Sequence, residues 1–194
     1  MICIVLDSSV MINLLFIADK FKNFLKLLKS LLEKENAKIF LPKIMVDREI
    51  IYKNQQEILQ TMLNENIVEL TEVEDDEIEN TRRLYSFRLG LGEIAMSILV
   101  KKFLKSGKPS VGFTNEKFVV KKMKNEIPLL HGLWFYTQMF FYGIINQNEL
   151  ENIINEANKD MKVEIEELKN IKQEYLSKKV SLREIVNSFM IDKL

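Results

Sequence analysis

Ile2-Cys3-Ile4-Val5-Leu6 is an unbroken run of β-branched and apolar residues, and Asp7-Ser8-Ser9 follows it without a spacer. A strand that is apolar at every position, rather than at alternate ones, must be covered on both faces, as strands inside a parallel sheet are. The residues that follow repeat this theme. Over 18–35, Phe21, Phe24, Leu25, Leu28, Leu31 and Leu32 recur three and four apart with lysines between them, the pattern of an amphipathic helix. Residues 38–41 (KIFL) form a second short strand, and Pro42 can open the helix expected over 43–64. Residues 67–70 read as a short strand and 75–86 as a helix.

Gly90 and Gly92 then punctuate RLGLGEIAMSILVKKFLKSG, with Glu93 in the first turn of a helix whose Ile94, Ala95, Ile98, Leu99 and Phe103 face inward. Residues 110–113 (SVGF) are a third core strand, followed by the Thr114-Asn115-Glu116 turn and a basic helix to about Lys124. A fourth strand is expected over 127–130 and a helix over 132–142. Strands alternating with helices in this order predict a three-layer α/β domain with a mostly parallel sheet. After Gly143 the texture changes. Residues 147–194 are dense in Glu, Lys and Asn with apolar residues at helical spacing, and Ser181-Leu182-Arg183-Glu184 has the form of a capping box. They read as a helical appendage.

Composition narrows the function. There are 28 Lys+Arg against 28 Asp+Glu, so no global basic field attracts nucleic acid, and any such function must sit in a local site. One Cys and one His exclude a disulfide framework and a Cys/His zinc site within one chain. The single thiol, Cys3, fits a reducing compartment, so a cytoplasmic location is expected. The apolar N-terminus lacks a basic leading region and is interrupted by Asp7 and Asn13, so it reads poorly as a signal peptide. The stretch 127–145 approaches membrane-spanning length but contains Pro128, His131, Gly132, Gln138 and Gly143; a strand, turn and buried helix are expected there instead.

The acids gather where chemistry gathers in such sheets, beyond the carboxyl ends of the strands. Asp7 follows the first strand, Asp47 and Glu49 lie in the helix after the second, Glu93 opens a helix after a Gly-rich turn, and Asn115-Glu116 follow SVGF. Mg²⁺ and Mn²⁺ take hard oxygen ligands and keep waters that a phosphate can displace, so this arrangement points to metal-assisted phosphodiester chemistry. Each residue also has an ordinary use. Asp7 can cap a helix, Glu93 can complement a helix dipole, Asp47 and Glu49 can be solvated carboxylates, and Asn115 can be a turn former. Lys117 and Lys121 can touch phosphate or simply form an exposed basic face. His131 is expected to be a core or edge histidine, and the aromatic residues over 134–142 to pack a helix.

The residues carry a resemblance. Asp7-Ser8-Ser9-Val10-Met11-Ile12 after its strand resembles the first motif of PIN-domain nucleases, D-[ST]-[ST]-x-[LIV]-I. Leu89-Gly90-Leu91-Gly92-Glu93-Ile94-Ala95 is similar to the L-G-x-G-E-x-x-A motif of a subgroup related to VapC-like toxins. Phe113-Thr114-Asn115-Glu116-Lys117 stands where that subgroup has a [LI]-[TI]-D-D-[KR] turn, and His131-Gly132-Leu133 through Gly143-Ile144-Ile145 resembles its closing segment. The likeness covers residues 1–146, which makes them a PIN-like domain and 147–194 its appendage.

The resemblance implies a Mg²⁺- or Mn²⁺-dependent endoribonuclease, in many cases the toxin of a toxin–antitoxin pair. Asp7 and Glu93 match the family's acids directly. The acid after the second strand matches Glu49 with a one-residue slip, in competition with Asp47. Asn115 replaces the expected Asp, with Glu116 next door, and an amide oxygen brings no charge to a metal. Ser9 would orient a ligand or water. Expected partners are RNA, an antitoxin protein and a second copy, the last through the PIN-like domain or the C-terminal helices. The rival expectation is a PIN-like module that has lost chemistry and binds RNA or protein.

Overall fold

The computed structural model describes residues 1–50, 52–85, 89–161 and 165–191. Five strands, β1 (Ile2–Leu6), β2 (Ala37–Pro42), β3 (Val68–Thr71), β4 (Ser110–Thr114) and β5 (Leu129–His131), form one sheet in the order β3-β2-β1-β4-β5. Every neighbouring pair is parallel. β1 is central, all five of its residues are buried, and its two faces feed two different cores. This is why its sequence shows no alternation.

One core joins Ile2, Ile4 and Leu6 to α1 (Ser8–Lys20), α2 (Phe24–Glu35), α4 (Lys53–Asn64) and α8 (Trp134–Phe141). The other joins Cys3 and Val5 to α5 (Asp75–Leu84), α6 (Leu91–Lys105) and α7 (Lys117–Met123). The result is the expected three-layer α/β/α arrangement. Among the described residues no helix is long and apolar enough to cross a membrane. His131 lies buried on β5, and the aromatic residues from Trp134 to Tyr136 are buried in the core, as expected of both.

Two long helices expected from periodicity are each split. The stretch 8–20 forms its own helix, started by Asp7 as N-cap, and the amphipathic helix begins only at Phe24. The chain turns at Phe21, whose backbone is extended, so that α1 can run along the sheet while α2 turns its lysines to solvent. Likewise α3 (Lys43–Glu49) stops before α4, because Ile50 leaves the helix and is buried in the core, its carbonyl held by Gln56 Nε2 at 3.1 Å. Periodicity of apolar residues continues across both breaks, which is why it concealed them. The helix expected over 75–86 ends at Leu84, where Tyr85 leaves the helix; residue 86 lies outside the described residues.

The C-terminal segment is packed on the chain's own core. α9 (Gln147–Met161), α10 (Ile165–Lys178) and α11 (Leu182–Ile191) contribute Leu150, Ile153, Ile154, Ala157, Leu168, Ile171, Tyr175, Leu182 and Val186 to the same core as α1 and α8. Asn13, inside α1, donates from Nδ2 to the Ala157 carbonyl at 3.0 Å and accepts from the Tyr136 hydroxyl at 2.7 Å. Trp134 Nε1 donates to the Val180 carbonyl at 2.6 Å. Buried polar atoms of the sheet domain thus find their partners in the tail.

Candidate functional site

Strand order reverses at β1: the chain builds outward through β2 and β3 on one side, then returns to β4 and β5 on the other. In open parallel sheets this switch point leaves a crevice at the carboxyl ends of the two inner strands. Asp7 follows β1, Asn115 follows β4, and the Asp7 N–H donates to the Phe113 carbonyl at 3.0 Å, so the two segments meet there. A third segment enters through α6. Gly92 lies so near Ser8 that a Cβ would stand 2.6 Å from the Ser8 hydroxyl oxygen. The N-termini of α1 and α6 therefore converge on the crevice with their positive dipole ends.

Asp7 is 1 % exposed. Its Oδ1 accepts from the Ser9 hydroxyl at 2.8 Å and from the Val10 N–H at 2.9 Å, the second being an ordinary N-cap bond. Its Oδ2 is buried without any hydrogen-bond partner. Burial pushes the Asp7 carboxyl up to about 7, with the Glu93 charge adding to it. Thr114, Val10 and Ser9 pull the other way. The Thr114 side chain is the foremost of these in favouring the charged form, and its hydroxyl also accepts the Glu116 N–H at 3.1 Å. An N-cap accounts for one oxygen of Asp7 and leaves the other unexplained.

Glu93 is half-buried, and its carboxylate curls back over Gly90, where a Cβ would collide with Oε2. Burial raises its pKa most, and the negative charges of Glu116 and Glu49 raise it further, while the Glu93 and Gly90 N–H groups lower it. Acids from four segments are thus within electrostatic reach of one another: Asp7 feels Glu93, and Glu93 feels Glu49 and Glu116. Glu49 and Asp47 lie in different surroundings. Asp47 is exposed, acts on Lys43, and lines a separate groove with Gln56, Leu59 and Leu70. Arg48 between them is paired with Asp75 at 3.2 Å.

Asn115 is fixed on three sides. Its N–H donates to the Ser9 hydroxyl at 3.2 Å, and its Nδ2 donates to the Ser9 carbonyl at 3.1 Å. That second bond identifies the remaining atom as oxygen, and this Oδ1 is buried with no partner. Gly132 closes over it; a Cβ there would stand 2.5 Å from Oδ1. Two unpaired oxygens, one of a carboxyl group and one of an amide, therefore remain at the switch point, on segments that Ser9 ties together. Glu116 is exposed at the rim. Lys117 is paired with Glu167 at 3.4 Å, while Lys121 is exposed on α7 with no ion pair among the described residues.

Three contributors were not singled out from sequence. In the sequence Thr114 stands only as part of a turn and Ser8 only as part of a motif, and nothing marks Tyr175. Thr114 carried a local signal, a hydroxyl between a strand and an acid. Tyr175 carried none, because its contact to His131 spans 44 residues of sequence.

Among the described residues no three His, Cys, Asp or Glu side chains stand close enough together to hold an ion unaided. The donor set suits a different mode. Mg²⁺ is usually bound through one or two carboxylates and keeps several waters, and the oxygens offered here are single atoms on separate segments. Compared with protein-family models, curated proteins and solved structures, the chain matches none.

Proposed function

We propose that this chain is a metal-dependent endoribonuclease, with Asp7, Glu93 and Asn115 as the residues that would hold Mg²⁺ or Mn²⁺. The observation that carries the reading is Asp7 Oδ2, a buried carboxylate oxygen with no partner at the topological switch point. Leaving such a group unsatisfied costs about 1–3 kcal/mol or more when charged, and a bound cation would remove that cost. The motif resemblance to PIN-domain nucleases supports the same residues, and with it the toxin role and an antitoxin partner.

A bound divalent ion would supply charge stabilisation for the phosphodiester and acidify a coordinated water. The chain's own residues do the rest. The Ser9 hydroxyl donates to Asp7 Oδ1 and accepts from the Asn115 N–H, which ties the Asp7 and Asn115 segments together. Because the Ser9 proton is held by Asp7, Ser9 is a positioning group and not a nucleophile. Glu49 and Glu116, whose charges reach Glu93, would be the bases that take the proton of the attacking water. Water adds to phosphorus in line as the P–O bond to the leaving ribose oxygen breaks, with no covalent enzyme intermediate.

A second reading has one observation in its favour: the neutral amide of Asn115 offers no charge, as expected of a PIN-like module that binds RNA or protein without cutting it. Cleavage of end-labelled RNA with Mn²⁺ or EDTA decides between the two. The nuclease reading expects cutting with Mn²⁺, none with EDTA, and a loss of roughly 100-fold in Glu93→Gln. Absence of metal-dependent cutting, or cutting unaffected by Asp7→Asn and Glu93→Gln, overturns it.

A further inference from the structure

α10 reaches the candidate site from outside it. The Tyr175 hydroxyl, on a side chain only 7 % exposed, accepts the backbone N–H of His131 at 2.9 Å. About two turns earlier on the same helix, Glu167 pairs with Lys117. These contacts straddle the turn that carries Asn115 and Glu116. On one side, Lys117 is the first residue of α7 immediately after that turn. On the other, His131 is aligned with Thr114 in the β4–β5 ladder, and Gly132 closes over Asn115 Oδ1.

His131 links the two halves chemically. Its Nδ1 accepts the Leu133 N–H at 3.1 Å, which places the ring proton on Nε2. Nε2 is buried and unpaired, and the Asn115 carbonyl lies near enough to act on the ring. His131 thus meets the tail at its backbone N–H and the Asn115 turn at its ring. The Tyr175 hydroxyl satisfies the one backbone donor of His131, a buried group that would otherwise be orphaned.

We propose that Tyr175 is a positioning residue for the candidate site: its hydroxyl fixes His131 and Gly132, which hold the Asn115–Glu116 turn in place, while the Glu167–Lys117 pair ties down the turn's far side. The C-terminal helices are then part of the scaffold of the site. The buried hydroxyl contact dominates, since the Lys117–Glu167 pair is solvent-exposed and exposed pairs contribute little. The proposal rests on the nuclease reading only for what the ordered turn does, and the test separates the two.

Amide hydrogen exchange and Mn²⁺ affinity are measured on the full chain for the wild type, Tyr175→Phe, Glu167→Gln and Tyr136→Phe. The last variant is the control, because it also removes a buried hydroxyl bond, to Asn13, but away from the turn. Exchange at Asn115, Glu116 and Lys117 is expected to quicken about tenfold in Tyr175→Phe, by less in Glu167→Gln, and not selectively in Tyr136→Phe. Mn²⁺ affinity is expected to fall severalfold in Tyr175→Phe alone. Unchanged exchange at the turn in Tyr175→Phe, or an equal rise in Tyr136→Phe, overturns the proposal. Wild type that binds no Mn²⁺ while the exchange pattern appears overturns the nuclease reading and leaves Tyr175 as the turn's anchor.

Discussion

Gly92 and Ser8 are in contact across two helix starts, and a Cβ on Gly92 would lie 2.9 Å from the Ser8 backbone nitrogen as well as 2.6 Å from its hydroxyl oxygen. Backbone cannot yield as a side-chain tip can. Gly92→Ala therefore pushes α6 away from α1, costing about 1–3 kcal/mol and lowering Tm by about 3–10 °C. Gly90→Ala makes the opposite contrast. Its Cβ would meet only the flexible end of Glu93, and its backbone suits any residue. The fold should persist while Glu93 is displaced, so metal binding weakens with little change in Tm. Thermal melts of both variants with and without Mn²⁺ check the pair.

A buried Asp7 makes metal-free stability depend on pH. Its folded pKa, about 7, lies above the ordinary 3.8, so the folded state holds a proton that the unfolded state has lost. Stability from this group is complete below about pH 4 and is lost as pH rises through 7, at up to about 1.4 kcal/mol per unit. His131 runs the other way. Its pKa, lowered to about 4 by burial, means that stability is lost as pH falls from 6.5 towards 4. The two slopes offset each other in the wild type between those values. In EDTA, Asp7→Asn should therefore be more stable than wild type at pH 8, and the advantage should vanish near pH 4. Denaturant titrations across that range measure it, and a constant difference would contradict the burial argument.

Asn115→Asp separates charge from shape. The carboxylate would face the Ser9 carbonyl where the amide now donates, so metal-free stability should fall by about 1–3 kcal/mol. The added charge should tighten Mn²⁺ binding, so the variant gains more from metal than the wild type does. Calorimetric titration with Mn²⁺ reads this, and weaker binding in Asn115→Asp would remove Asn115 from the ligand set.

Removing residues 147–194 should unfold the chain. Each large apolar side chain that the tail buries contributes about 1.5–3 kcal/mol, and Leu150, Ile153, Ile154 and Leu182 are four of them. The truncation would also remove the Ala157 and Val180 carbonyls that accept from Asn13 Nδ2 and Trp134 Nε1. Circular dichroism of the truncated chain should show loss of cooperative melting; a stable, cooperative 1–146 would contradict this packing.

The sheet was legible because β1 is wholly apolar and the apolar runs of the other strands are short, and because β1, β2 and β4 end at an Asp, a Pro and a Thr-Asn turn. The breaks after Lys20 and Glu49 were not, since the apolar spacing runs through both. Asp7, Glu93 and Asn115 could be found from their places after strands and glycines. The different surroundings of Glu49 and Asp47 could not, because residues two apart on a helix point in different directions and only α3's placement brings the Glu49 charge within reach of Glu93. The role of the tail was hidden for a similar reason. Its stripe of Leu and Ile reads identically whether it covers its own core or another molecule.

Mn²⁺ titration followed by thermal denaturation, on wild type and Asp7→Asn side by side, tests the central claim most directly. Binding to the folded state alone raises stability by about 2.7 kcal/mol at one hundred times Kd. Wild-type Tm should climb with Mn²⁺ by several degrees and keep rising with the logarithm of its concentration above Kd, and Asp7→Asn should show no such climb. A wild-type Tm indifferent to Mn²⁺, or an equal rise in Asp7→Asn, would contradict the account.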